Sequence, residues 1–234
     1  MPSPLITIDG PAGSGKSTTG FAVARRLGVP FLDTGAMYRA ATWAVLNRGL
    51  KPNDASAVSR LVDSLTFQYC EGRDGIRIWV NGREVTADIR SPEVTRAVTP
   101  VCEISHVRER LVSLQRRWAE RGLGVLEGRD TGTVVMPDAR LKIYLTARPE
   151  VRAHRRAREL GIAEDAAKVA ALTAEIAERD RRNVERELAP LLQTPDMIEL
   201  DTSNLPFEEQ VNRIIRLAAE RFGFKVYGAA GNNR

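Results

Sequence analysis

Gly10-Pro11-Ala12-Gly13-Ser14-Gly15-Lys16-Ser17 is a complete G-x-x-x-x-G-K-[ST] segment, set between a short apolar run and a helix-forming one. No other feature constrains the fold of this chain as tightly. The glycines let successive backbone N–H groups converge on phosphate oxygens. Lys16 can then reach β- and γ-phosphates, and the Ser17 hydroxyl can sit on a Mg²⁺ ion brought in with the nucleotide. Ahead of the loop, Leu5-Ile6-Thr7-Ile8 reads as a buried strand. After it, Gly20, Val23, Ala24 and Leu27 fall at i, i+3, i+4 and i+7, which predicts a helix whose N-terminus faces the anion. With strand, loop and helix all in place, a Gly-rich turn that binds nothing is the weaker reading.

The rest of the chain alternates strand and helix signals, the pattern of a mostly parallel α/β sheet. Strands are expected at Leu5–Ile8, Pro30–Leu32, Gly124–Glu127, Leu141–Leu145 and Met197–Leu200. Helices are expected at Lys16–Leu27, Gly35–Asn47, Pro92–Glu103, Ser105–Arg121, Pro149–Leu160, Asp165–Glu187 and Pro206–Phe222. Pro92, Pro149 and Pro206 each suit a first helical position, where a missing N–H costs little. One stretch breaks the alternation: Leu65–Tyr69, Ile76–Val80 and Arg83–Val85 read as a small antiparallel meander inserted into the α/β core. Asn81-Gly82 would turn its second hairpin. The Gly- and Asn-rich tail from Gly223 to Arg234 reads as frayed.

Composition narrows the functional classes. No apolar run is long enough to span a bilayer, and Met1-Pro2-Ser3-Pro4 opens neither a signal peptide nor a transit peptide, so a cytoplasmic protein with no membrane partner is expected. Cys70 and Cys102 read as reduced thiols. His106 and His154 stand without Cys or His at ligand spacing, which argues against a zinc site. The net charge is +5, compatible with nucleic acid or with small polyanions. Without a Lys/Arg-rich tail or an aromatic-basic stripe, the small polyanion is favoured and no nucleic-acid partner is expected. A basic nucleic-acid-binding protein with a regulatory nucleotide site remains the rival from another class, and its binding would be salt-dependent.

A phosphate loop alone does not separate kinase, GTPase and ATPase. No N-K-x-D-type guanine reader is present, and Val125-Leu126-Glu127-Gly128 matches poorly the Asp-Glu strand end of a motor. Four segments instead resemble the bacterial cytidylate kinases: Ile8-Asp9-Gly10-Pro11; Asp33-Thr34-Gly35-Ala36-Met37-Tyr38-Arg39; Glu127-Gly128-Arg129-Asp130-Thr131-Gly132-Thr133-Val134; and Glu178-Arg179-Asp180 with Ala189-Pro190-Leu191. The similarity runs from the first strand to the last helix. It implies the three-layer P-loop kinase fold, α/β with a five-stranded parallel sheet, a small antiparallel insertion and a helical lid. One domain would cover 1–234, with the monophosphate-binding segment at about 36–104 and the lid at about 149–187.

The resemblance also implies an activity, ATP-dependent phosphorylation of CMP and dCMP with Mg²⁺, by a protein expected to be a monomer. Another small-molecule P-loop kinase is the nearest enzymatic alternative. Carried over residue by residue, ATP would meet Gly10, Pro11, Ala12, Gly13, Ser14, Gly15, Lys16, Ser17 and Thr18, with the metal reached by Ser17 through the nucleotide. Thr34, Arg39, Arg129 and Arg186 match positions around the acceptor phosphate, and Arg179 matches a CMP-binding position. Thr99, Arg108 and Asp130 match positions that read the base. Lys16, Arg129 and Arg186 are the expected catalytic groups.

The chemistry suits those residue types. An acceptor phosphate is already largely ionised near neutral pH, so the protein must align and neutralise two anions rather than create a nucleophile. Planar guanidinium forks meet phosphate oxygens in a bidentate way. A carboxylate facing C4 welcomes the cytosine amino group and repels the uracil carbonyl.

Blander readings stand beside several of these assignments. Asp130 could cap a helix or pair with Arg129. Arg179, Arg182 and Arg186 fall at i, i+3 and i+7 on one face of a continuous helix, which could equally be a solvated face paired with Glu178 and Glu185. Asp33 could hold Mg²⁺ through water or cap the helix after it. Arg152, Arg155, Arg156 and Arg158 could reach ATP or be solvated. Asn183 stands where many relatives have Asp at a ribose hydroxyl, a departure that bears on the balance between CMP and dCMP.

Overall fold

Strand β1 (Ser3–Asp9) carries Leu5, Ile6 and Ile8 with no exposed surface, and even Thr7 is fully buried. Such a strand is covered on both faces, as in a parallel sheet, and its residues need not alternate. The structure is a computed structural model describing residues 3–72 and 75–223. The expected tail therefore lies outside the described residues beyond Gly223. The other strands of the main sheet are β2 (Phe31–Asp33), β6 (Gly124–Gly128), β7 (Ala139–Thr146) and β8 (Ile198–Asp201), in the order β2-β6-β1-β7-β8. β1 pairs in parallel with both β6 and β7, and β7 with β8. The five expected strands are all present, each within two residues of its expected bounds.

The chain divides into two compact units, 1–30 together with 122–234, and 31–121. In the first, α1 (Lys16–Leu27) packs on β1 and β6, and α8 (Phe207–Phe222) packs on β7 and α1. Gly20, Val23 and Ala24 form the buried face of α1. α6 (Pro149–Glu159) and α7 (Ala166–Glu185) pack on each other. Pro149 is a first helical residue. Pro206 is not: it stands at the N-cap of α8 with ψ 146°, so its extended backbone precedes the helix and its carbonyl accepts from Glu209 and Gln210.

The second unit contains α2 (Thr34–Asn47), α3 (Ala55–Asp63), α4 (Pro92–Cys102) and α5 (Ser105–Ala119). Its three-stranded antiparallel sheet is β3 (Phe67–Gly72), β4 (Gly75–Val80) and β5 (Arg83–Glu84). This is the expected meander. Asn81 and Gly82 have φ of 49° and 80°, the two positive values that a tight type I′ hairpin requires. Asn81 Oδ1 also accepts from the Thr66 N–H at 2.8 Å. α3 was not expected. Asp54 caps it by accepting from Ala57 N, and Val58 and Val62 form its buried side. α2 buries Met37, Tyr38 and a run of alanines, and it packs against α4 and β4.

Among the described residues no helix is long and apolar enough to cross a membrane. Cys70 and Cys102 are not joined in a disulfide.

Candidate active site

The loop after β1 is shaped by its surroundings. Gly10 has φ 153°, and a Cβ there would lie 2.0 Å from the Leu145 carbonyl oxygen of β7, so only glycine passes. Gly15 precedes α1 in the left-handed region, and no side chain caps that helix. The N–H groups of its first turn are therefore available to an anion, where the helix dipole is also favourable. Lys16 is nearly buried and folds back over the loop, its Nζ donating to Pro11 O at 2.7 Å and to Ser14 Oγ at 3.4 Å. Burial pushes its ammonium down to about 7. Arg129 and Arg179 push the same way, and Glu127 and Asp9 oppose them.

The β1–β6 register sets Ile8 beside Glu127 and Asp9 beside Gly128. Two carboxylates thus stand at the C-terminal ends of adjacent strands, where open α/β sheets place their ligands. Glu127 is buried and accepts from Ser17 Oγ at 2.8 Å. Asp9 is fully buried and accepts from Thr131 N, Thr131 Oγ1 and Gly132 N at 2.9, 2.8 and 2.7 Å. Burial raises its carboxyl above the usual range, and those three donors hold it down.

The donors belong to a π-helical turn, Thr131–Val135. Anchoring this turn fixes the stretch between Glu127 and Thr131, which carries Arg129 and Asp130. Asp130 is buried, its side chain makes no cap bond, and Oδ1 lies 3.9 Å from Arg186 Nη2.

α7 carries Arg179 and Arg182, and Arg186 stands at its end. Asp165 caps it, accepting from Lys168 N at 3.0 Å. Arg179 lies close enough to Lys16 to lower its pKa. Arg182 takes the bland alternative, donating to Glu178 at 2.7 Å on an exposed face together with Arg181. These two arginines hold the Glu178 carboxyl down at about 2. The continuous face through Arg186 is not formed. The helix ends at Glu185, Arg186 has ψ 139°, and its Nε donates to Ala189 O at 2.7 Å. The cause is the turn ahead of Pro190, where Ala189 has φ 50°. Asn183 is half-buried, and its Nδ2 has no partner among the described residues.

In α6, Arg156 pairs with Glu159 on the surface. Arg152 and Arg155 turn inward to the loop: Arg152 Nη1 donates to Ala12 O at 3.0 Å, and Arg155 Nη1 to Ser14 O at 3.3 Å.

The second unit holds the other expected residues. Thr34 is buried and opens α2. Asp33 caps that helix, its Oδ1 accepting from Ala36 N at 2.8 Å. Arg39 donates to Ile89 O and Thr95 Oγ1 at 3.2 and 3.0 Å. Arg108 is nearly buried with its guanidinium 5.6 Å from the centre of the Tyr38 ring. Thr99 is half-buried on α4.

The first unit therefore gathers Lys16, Ser17, Arg129, Asp130, Arg179 and Arg186 around the loop. The model of the cytidylate kinase family matches residues 6–220, nearly the whole described chain. The chain belongs to the cytidylate kinase family. It is 48% identical over 214 residues to a bifunctional pantoate ligase/cytidylate kinase of Synechococcus sp. (strain WH7803), covering 91% of this chain and 44% of that protein. A protein of the same description from Synechococcus sp. (strain JA-3-3Ab) is 48% identical over 217 residues, covering 92% and 40%. This chain thus spans less than half the length of these relatives. An uncharacterised protein of Eubacterium ventriosum ATCC 27560 shares the fold, with TM-score 0.52 and 14% identity over 93% of this chain and 98% of that one.

Three residues beside the loop escaped the sequence reading as individual groups. Asp9 was visible only inside a motif. Glu127 was visible inside a motif and as a mismatch to motor ATPases but was given no role, although a carboxylate at a strand end facing Ser17 is what a metal-bearing nucleotide asks for. Arg152 was one of four arginines in a charged helix, and only its burial separates it from the others. A metal carried on nucleotide phosphates suits the donor set at Ser17 and Glu127. Among the described residues no group of three or more His, Cys, Asp or Glu could hold one unaided.

Proposed function

We propose that the chain transfers the γ-phosphoryl group of ATP to CMP and dCMP. The observation that carries this reading is the convergence of Lys16, Arg129 and Arg179 on an uncapped phosphate loop, with the Asp130–Arg186 pair beside it. Gly10 to Thr18 would take the triphosphate, backbone N–H groups and the α1 dipole supplying most of the attraction. Lys16 would leave Pro11 O and Ser14 Oγ for phosphate oxygens, regaining its full charge as it does so. Ser17 and Glu127 would hold Mg²⁺ on the nucleotide, and that ion would neutralise charge on the phosphate oxygens.

Acceptor roles follow the family resemblance within each unit. Arg129, Arg179 and Arg186 in the first, and Thr34 and Arg39 in the second, are proposed contacts of the acceptor phosphate. Asp130, Arg108 and Thr99 are proposed readers of the base. Asp130 suits the cytosine amino group because it is a buried acceptor held in place by the turn that Asp9 anchors. The unpartnered Nδ2 of Asn183 would approach the sugar, so that the amide rather than a carboxylate governs the preference between CMP and dCMP. The segments 36–104 and 149–187 are the proposed monophosphate-binding and lid regions, the lid excluding water as a competing acceptor.

No general base is needed, because positioning and electrostatic stabilisation carry phosphoryl transfer. The test is ADP release with ATP and Mg²⁺ across CMP, dCMP, UMP and AMP. Conversion of CMP and dCMP far above the other two is expected. Equal turnover of UMP or AMP would remove the base-reading assignment, and no turnover of CMP would remove the activity.

A further inference from the structure

We propose that Arg152 and Asp180 are positioning residues that couple the phosphate loop to α7, so that nucleotide in the loop strengthens acceptor binding. The inference rests on the activity proposed above and adds to it a route of communication. Arg152 is 4% exposed although it sits in a helix rich in charged residues. Its guanidinium is used on three sides: Nε donates to Ala147 O just past β7 at 2.8 Å, Nη1 donates to Ala12 O of the loop at 3.0 Å, and Nη1 is ion-paired with Asp180 Oδ2 of α7. Asp180 returns to the same loop residue, its Oδ1 accepting from Ala12 N at 3.3 Å.

Both backbone polar groups of Ala12 are thus held, its N–H by Asp180 and its carbonyl by Arg152. One grip comes directly from α7 and the other passes through Arg152. The packing admits no slack: a Cβ on Gly13 would lie 3.3 Å from Arg152 Cβ. Asp180 is adjacent in sequence to Arg179 and one helical turn before Asn183. Any shift of the loop on filling with phosphate is therefore transmitted to the helix that carries both. A purely structural ion pair would hold α6 and α7 together without touching the loop. Here the loop backbone is a member of the network, and buried polar networks have few alternative arrangements.

The experiment measures CMP affinity by titration calorimetry with and without a non-hydrolysable ATP analogue and Mg²⁺, in wild type and two variants. In wild type the analogue is expected to tighten CMP at least about fivefold, the low end of coupling between linked sites. CMP must tighten the analogue by the same factor. Asp180→Asn keeps the shape but loses the charge, and its coupling factor should fall to about one. The paired change Arg152→Met with Asp180→Leu fills the same volume without ions, guards against a merely unfolded single variant, and should also abolish coupling. Coupling retained in a folded variant would overturn the proposal, as would its absence in a wild type that binds both ligands. A wild type that binds no CMP at all would overturn the proposed activity instead, and this inference with it.

Discussion

The buried charges beside the phosphate loop in the first unit and a buried amide in the second differ in how their polar atoms are satisfied. In the first, Asp9 accepts three hydrogen bonds, Glu127 accepts from Ser17, and Arg152 is bonded on three sides. In the second, Gln115 is 1% exposed and neither amide atom has a partner among the described residues; the buried Tyr69 hydroxyl has none either. Cohesion there comes from apolar faces such as Val58, Val62, Val94, Val101 and Leu111. The contrast teaches where charge is being put to use. Around the phosphate loop, interior charges fix backbone geometry that a ligand will meet, whereas an interior amide in the second unit is a cost borne by packing.

The strongest test is Lys16→Ala, expected to lower kcat about 10²–10³-fold, in line with losing one preorganised charge, while the protein stays folded. A loss below about tenfold would mean that the cation cluster is not centred on this lysine. Next, Asp130→Asn should lower kcat/KM for CMP by about 10–100-fold through loss of a buried acceptor, with ATP affinity nearly unchanged. If both fell alike, Asp130 would be serving the scaffold. Asp9→Asn presents one amine where an acceptor was needed and should cost about 2 kcal/mol in denaturant unfolding.

Lys16 also gives a pH signature. Between about 7 and the ordinary lysine value, the unfolded chain binds a proton that the folded chain lacks, so this group makes stability rise with pH across that window. Nucleotide restores the charge, so binding near pH 7 should take up part of a proton. Calorimetry in buffers of different ionisation enthalpy reads that uptake, and a buffer-independent enthalpy would contradict it. The smallest effect should come from the second unit, where Gln115→Leu is expected to raise stability by about 1 kcal/mol without altering kinetics. A loss of stability there would erase the contrast between the units.

Much of this architecture is written in short-range signals. The loop, the strands around it and the Asn81-Gly82 hairpin are local patterns, and the structure contains them. α3 was also legible, because Asp54 precedes an apolar spacing at Val58, Leu61 and Val62, but the neighbouring polar residues masked it. The end of α7 was misjudged because the pattern of arginines continues through Arg186 while the backbone turns ahead of Pro190. What no local pattern could reveal is long-range pairing of charge. The Glu127–Ser17 and Asp180–Ala12 bonds join residues far apart in the chain, and only the folded register brings them together.

The central position of β1 has a consequence for biosynthesis. Ile6 lies between Val125 and Leu141 in the sheet, so the first strand waits for both of its neighbours. At ribosomal rates of about 5–20 residues per second, that wait is roughly ten seconds. The stretch from Phe31 to Arg121 emerges during this interval and can settle its own hairpin and helices first. The nascent phosphate loop, meanwhile, has an apolar strand beside it with no sheet to join, and it is then that a chaperone has most to protect.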